Sequence, residues 1–130
     1  MTRSAAATAA RGAALARTLR AGDCVLLSGP LGAGKTVFVR GAWRGLGIRR
    51  RAVSPTFTLA HEGRGRVPSV HLDFYRLTVP AADRGLDEYL DGRWVVFAEW
   101  PERDPAFRVP GAIRVRIDRL GGTARRITIR

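Results

Sequence analysis

The residues with the clearest chemistry lie between positions 29 and 36. Gly29-Pro30-Leu31-Gly32-Ala33-Gly34-Lys35-Thr36 fits G-x-x-x-x-G-K-[ST] at every fixed position. Glycines at 29, 32 and 34 permit left-handed and tight backbone, so successive N–H groups can converge on an anion. A helix starting near Lys35 adds its unpaired N–H groups and positive dipole end at the same point. Lys35 would then meet the β- and γ-phosphates of a nucleotide as a point charge, and the Thr36 hydroxyl would ligate Mg²⁺. Composition argues the same way, because 22 of the 23 basic residues are Arg and Lys35 is the only lysine. A lysine here, in a chain that otherwise uses arginine, indicates a nest that takes a slim ammonium and not a planar guanidinium. Pro30 preserves the glycine frame but removes one N–H.

Two acids could complete such a site. In Trp94-Val95-Val96-Phe97-Ala98-Glu99 a buried apolar strand ends in a carboxylate, the Walker B pattern, where the acid holds a metal directly or through water. The second acid closes a strand expected over Val67 to Phe74, with Val70 and Leu72 on one face and His71 and Asp73 on the other. Asp73 is thus a candidate for magnesium or for orienting water, and His71 reads as a hydrogen-bonded neighbour. Trp100 suits either the core or a stack at the nucleotide. Ser54-Pro55-Thr56-Phe57-Thr58 reads equally as turn chemistry and as a switch loop sensing the γ-phosphate or metal.

The elements that must position these groups follow from apolar spacing. Thr8, Gly12, Leu15 and Leu19 make a helical stripe within Ser4 to Arg20, followed by a turn at Ala21-Gly22-Asp23. Cys24 to Ser28 is apolar on both faces, as a central covered strand would be. Phe38, Val39, Ala42, Trp43 and Leu46 predict the helix after the loop, with Gly45 and Gly47 as its stop. Arg49-Arg50-Arg51 is a basic exposed connector, read either as a solvated loop or as a phosphate-backbone contact. Gly63-Arg64-Gly65-Arg66 reads as a hairpin tip, Ala81 to Asp91 as a short helix with Leu86, Tyr89 and Leu90 inward, and Asp104 to Pro110 as a loop. Keeping Ile113, Val115, Ile117, Ile127 and Ile129 on one face of a C-terminal hairpin pairs 117 with 127 and 115 with 129. That register leaves Gly121-Gly122-Thr123 as a three-residue turn. Arg114, Arg116, Arg126 and Arg130 then lie outside, and Arg125 inside, where it needs an anionic partner such as a nucleotide phosphate or ribose edge. The expected fold is α/β, one P-loop NTPase-like domain over residues 1–130, with a mixed central sheet flanked by helices and a C-terminal β-hairpin.

A net charge of +12 suggests an anionic partner, although the Arg, Ala and Gly richness also fits a coding bias. The single cysteine, Cys24, rules out a disulfide framework and favours a reducing cytoplasm. No apolar run reaches membrane-spanning length. The first 22 residues, with four Arg and no acid, faintly resemble a transit peptide, but the apolar stripe favours a structural helix.

An ordered set of motifs resembles the TsaE family, also called YjeE: the loop at 29 to 36, Ser-Pro-Thr-Phe at 54 to 57, His-Leu-Asp-Phe-Tyr-Arg at 71 to 76, Leu-Asp-Glu-Tyr at 86 to 89 and Glu-Trp-Pro-Glu at 99 to 102. The resemblance implies an ATP and Mg²⁺ site in which Gly32, Ala33, Gly34, Lys35 and Thr36 bind phosphate and metal. It also implies that Asp73 and Glu99 form the acidic pair for metal and hydrolysis, and that Trp100 lies by the nucleotide. Thr8 matches a threonine near the adenine, and Arg125 matches a C-terminal nucleotide-site arginine. Pro30 departs from the family's usual Asp, and His61-Glu62 from its usual tyrosine region. The implied activity is weak ATP hydrolysis that resets a complex with TsaB and TsaD type partners. In that complex TsaD, and not this chain, transfers threonylcarbamoyl to tRNA.

Three other readings can be weighed from residues alone. A GTPase would carry Asn-Lys-x-Asp for guanine, and the only lysine is already in the loop. A small-molecule kinase needs a lid and acceptor pocket for which 130 residues leave no segment. A basic nucleic-acid-binding module rests on the arginine face and does not exclude the ATPase, since tRNA phosphates could meet that face.

Overall fold

A computed structural model describes residues 1–49 and 60–130. Arg50, Arg51 and the Ser54 to Thr58 segment lie outside the described residues.

Six strands form one mixed sheet. They are β1 (Cys24–Ser28), β2 (Ala60–Arg64), β3 (Pro68–Asp73), β4 (Val95–Glu99), β5 (Ile113–Gly121) and β6 (Ala124–Ile129), in the spatial order β2-β3-β4-β1-β5-β6. β3, β4, β1 and β5 run parallel, and β2 and β6 are antiparallel edges. β1 is central, as its two apolar faces require. Parallel strands bring their carboxyl ends to one rim, where α/β sheets bind ligands. Residues 29–36, Asp73 and Glu99 all follow or close strands on that rim.

Helices α1 (Ala5–Ala16) and α2 (Lys35–Gly45) share one face of the sheet. There Phe38, Val39, Ala42 and Trp43 of α2 pack on Val25, Leu27, Val95, Phe97, Val115 and Ile117, with Ala16 and Leu19 alongside. The opposite face buries Leu26, Val70, Leu72, Val96 and Ala98 under Phe74, Ala81, Leu86 and Phe107. Arg66 beside the β2–β3 turn reaches across to α1, donating to the carbonyls of Ala16 at 2.9 Å and Leu19 at 3.2 Å. It thereby satisfies orphan acceptors at that helix end.

Several boundaries differ from the sequence expectation. α1 is capped by Ser4, as its hydroxyl acceptor predicts, but stops at Ala16 and not at Arg20. Gly45 is the last residue of α2 and not a stop residue in the ordinary sense: a Cβ there would meet the Ala13 carbonyl oxygen at 2.7 Å. Gly41 and Gly12 are tighter still, at 1.8 Å from Ala9 O and 2.1 Å from Phe38 O, so these glycines let the two helix backbones touch. The hairpin between β2 and β3 turns at residues 65–67, because Gly63 and Arg64 are still paired in β2.

The segment after Pro80 is two 3₁₀ turns, Ala81–Arg84 and Leu86–Leu90, divided by Gly85 at φ +73°. Leu86 is buried there, but Leu90 is exposed. In the C-terminal hairpin, 117 pairs with 127 and 115 with 129 as the alternation predicts. The turn is shorter than expected: Gly121 pairs with Ala124, leaving Gly122 and Thr123 as the loop and an irregularity between Arg119 and Gly121.

Candidate phosphate-binding site

The loop after β1 has the backbone its glycines make available. Gly29, Gly32 and Gly34 sit at φ +140°, +75° and +109°. Gly29 also abuts β5 so closely that a Cβ would lie 2.1 Å from the Ile117 carbonyl oxygen. Pro30 starts a four-residue turn in which Ala33 N–H donates to its carbonyl at 3.1 Å, with Gly32 in the third place. Proline loses an N–H but keeps that carbonyl, which accounts for its tolerance at this position. Gly34 caps α2 without a side-chain acceptor and no acid stands in the first turn, so the helix start is left to an external anion.

Lys35 is buried, 4% exposed. Its ammonium donates to the carbonyls of Gly29 at 2.6 Å and Pro30 at 3.0 Å and lies 4.2 Å from the centre of the Trp100 ring. Burial lowers its pKa below the ordinary lysine range, against the opposing pull of Glu99, Glu102 and Asp73. Trp100 is the only described non-glycine residue at positive φ, +59°. That left-handed turn directly after β4 lays the indole over Lys35 and against Tyr75, ring centres 4.9 Å apart.

Glu99 is the convergence point. Its Oε2 accepts from the Thr36 hydroxyl at 2.9 Å and meets His71 Nε2 at 2.5 Å. His71 is fully buried, and its Nδ1 has no hydrogen-bond partner among the described residues. Asp73 stands opposite Glu99 in the parallel β3–β4 ladder, and its Oδ1 accepts from Tyr75 N–H at 3.0 Å. The donor set fits a hard divalent cation that also takes phosphate oxygens: one hydroxyl, one or two carboxylates and no all-protein cage, since no cluster of three His, Cys, Asp or Glu ligands occurs among the described residues.

The remaining expected site residues arrive from both chain ends. Thr8 is buried, its Oγ1 hydrogen-bonded to Thr2 Oγ1 at 2.8 Å, and its Cγ2 would lie 3.7 Å from a Cβ on Gly34. Arg125 Nε donates to the Ala33 carbonyl at 2.8 Å. Thr2 exchanges two backbone hydrogen bonds of 2.8 Å with Arg125, so the N-terminus, β6 and the loop are tied together. Thr2 carries no periodic signal and could not be found from the sequence. The His61-Glu62 departure lies on edge strand β2, where Glu62 accepts from the Tyr89 hydroxyl at 2.7 Å.

A sequence profile of the family described as "Threonylcarbamoyl adenosine biosynthesis protein TsaE" matches residues 2–127. The chain is 42% identical to the TsaE protein of Bacillus subtilis over 82% of this chain and 68% of that one. The chain belongs to the TsaE family. Relatives named TsaE from Streptomyces coelicolor, at 44% identity over 87% of this chain and 80% of its own, and from Treponema pallidum, at 41% over 91% and 92%, extend the likeness. The crystal structure of Bacillus subtilis YdiB superimposes with a TM-score of 0.85 and 35% identity, covering 98% of this chain and 80% of that one. The sheet and two-helix layer described above are therefore those of a solved TsaE-like fold.

Proposed function

We propose that the chain binds ATP with Mg²⁺ and hydrolyses it in support of threonylcarbamoyladenosine modification of tRNA, the process for which its relatives are named. The observation that carries this reading is the meeting of Thr36, Glu99 and His71 at the mouth of a glycine nest holding a buried lysine. Lys35 is short of compensation: burial disfavours its charge more than the pull of Glu99, Glu102 and Asp73 restores. Phosphate oxygens in direct contact would add to what two neutral carbonyls and an indole face return. Thr36 and Glu99 would hold the cation, and Asp73, one strand away, would orient the attacking water. Bound Mg²⁺ supplies neutralisation of the charge that develops on the phosphates. Thr8 and Arg125 border the far side of the loop, where the rest of a nucleotide would lie.

Among the described residues no helix is long and apolar enough to cross a membrane. A cytoplasmic place, and action within a complex with TsaB and TsaD type partners, form part of the proposal, as does tRNA contact through Arg114, Arg116, Arg126 and Arg130. The test is ATP binding and turnover by the purified chain with and without such partner subunits, and by Lys35→Ala. Loss of both in Lys35→Ala is the expected result. Absence of ATP binding by the wild-type chain with its partners, or undiminished turnover in Lys35→Ala, would overturn the reading.

A further inference from the structure

The hairpin sets two arginines directly opposite each other, Arg119 on β5 and Arg125 on β6. Opposed residues of an antiparallel pair point to the same face, and like charges placed so repel. Alternation from Val115 and Ile117 puts both on the helix-bearing face, beside residues 29–36. Arg125 is engaged with neutral acceptors, the carbonyls of Ala33, Gly122 and Ala124. Arg119 has no hydrogen-bond or ion-pair partner among the described residues, and its Nη1 lies 3.9 Å from where a Cβ on Gly32 would stand. It lines a cleft of about 620 Å³ with Gly29, Pro30, Trp100 and Glu102. The nearby carboxylate of Asp118 is committed to Arg116 at 3.0 Å. The two opposed arginines therefore flank the phosphate loop without an ion pair among the described residues, with Glu102 lining the same cleft as Arg119.

We propose that Arg119 is a phosphate-contacting arm, reaching the polyphosphate from the hairpin side while Arg125 holds the loop at Ala33. A polyanion between them converts the repulsion across the hairpin into a shared attraction. The arm rests on the nucleotide reading given above and adds to it a residue that motif spacing does not reveal. The same alternation that places Arg125 inside the hairpin places Arg119 there too.

The test measures ATP affinity and ligand-free melting for the wild-type chain and for Arg119→Ala, Arg119→Lys and Arg119→Gln. Arg119→Ala should weaken ATP binding about tenfold or more, with Arg119→Lys retaining more affinity than Arg119→Gln because charge matters most at a phosphate. Ligand-free melting should stay level or rise, since a like-charge contact is removed. Wild-type affinity in Arg119→Ala, better retention by Gln than by Lys, or a ligand-free melting loss that accounts for the weakened binding would each overturn the arm. A wild-type chain that binds no ATP is a separate result, which defeats the nucleotide reading and the arm with it.

Discussion

Glu99 and Asp73 occupy equivalent places on neighbouring strands, yet their surroundings differ. Glu99 receives a hydroxyl and an imidazole, whereas Asp73 receives the backbone N–H of Tyr75. Groups that act on the charge developing in the transition state lower kcat more than affinity when removed. Glu99→Ala and Asp73→Ala should each lower kcat for ATP about 100-fold while shifting ATP Kd far less. Equal losses in kcat and affinity would instead mark them as uniform binding groups. Lys35 gives a pH signature. Binding needs the ammonium, and burial has lowered the pKa of that ammonium, so ATP affinity should begin to fall with rising pH earlier than an ordinary lysine would impose. The same shift has a stability consequence of opposite sign. Between the folded and unfolded pKa the unfolded chain holds more protons, so the ligand-free protein gains stability as pH rises through that window. Burial raises the Cys24 thiol and the Tyr89 hydroxyl each to about 12, with Asp23 adding at Cys24 and Glu62 at Tyr89. Both lose their proton earlier in the unfolded chain, so they lower stability as pH rises through the alkaline range and oppose the Lys35 gain. Titration of ATP Kd, and of the wild-type melting temperature relative to Lys35→Met, across the alkaline range checks both signs, since the difference cancels the Cys24 and Tyr89 contributions.

The packing of α1 on α2 turns on glycines that a helical pattern reads as weak points. In a helix interior Gly41→Ala would gain about 1 kcal/mol from propensity alone. Its new methyl would stand 1.8 Å from the Ala9 carbonyl oxygen, a backbone atom that cannot swing aside. Overpacking of that kind costs about 1–3 kcal/mol or more, so the collision prevails and denaturation midpoints should fall. Ala10→Gly on the exposed side of α1 should cost only about 1 kcal/mol, and a stabilised Gly41→Ala would show that the helices separate easily. The packing role was illegible because periodicity reports which face is apolar, not how closely two backbones approach. Elements defined by alternation were legible: β1, β4 and the 117–127 register follow from apolar positions that must share a face. The 81–91 segment misled because its apolar spacing suits a helix while Gly85, left-handed at φ +73°, splits it. At the site, Lys35, Thr36, Asp73 and Glu99 were readable from motif and strand end. Thr2 depended on a cross-strand pairing that only the assembled sheet reveals, whereas Arg119 lies on the face the predicted hairpin register gives it but carries no motif of its own.

At the scale of the whole molecule the sheet is covered unevenly. Both α-helices lie on one face, and the other is covered by 3₁₀ turns and the 101–112 segment over β3, β4 and β1. The outer face of the β5–β6 hairpin keeps Arg114, Arg116, Arg126 and Arg130 exposed, with Arg114 and Arg130 directly opposite and exchanging backbone hydrogen bonds. Asp118, paired with Arg116, offsets them in part, and Glu102 and Asp104 line the cleft beside Arg114. Such an arrangement is repulsive by itself and attractive to a row of phosphates, and it lies on the face turned away from the phosphate loop's helix. If tRNA meets this face, log affinity should fall linearly with log salt, and each arginine that contacts a phosphate should contribute about 0.9 to the slope on a duplex stem. Arg126→Gln with Arg130→Gln would then flatten the slope by nearly two such units while leaving ATP binding untouched, because neither side chain borders residues 29–36. Filter binding or fluorescence anisotropy with unmodified tRNA over a salt series measures it. A slope identical to that of the wild-type chain would remove tRNA from this face and leave its charge to an acidic protein partner or to solvent.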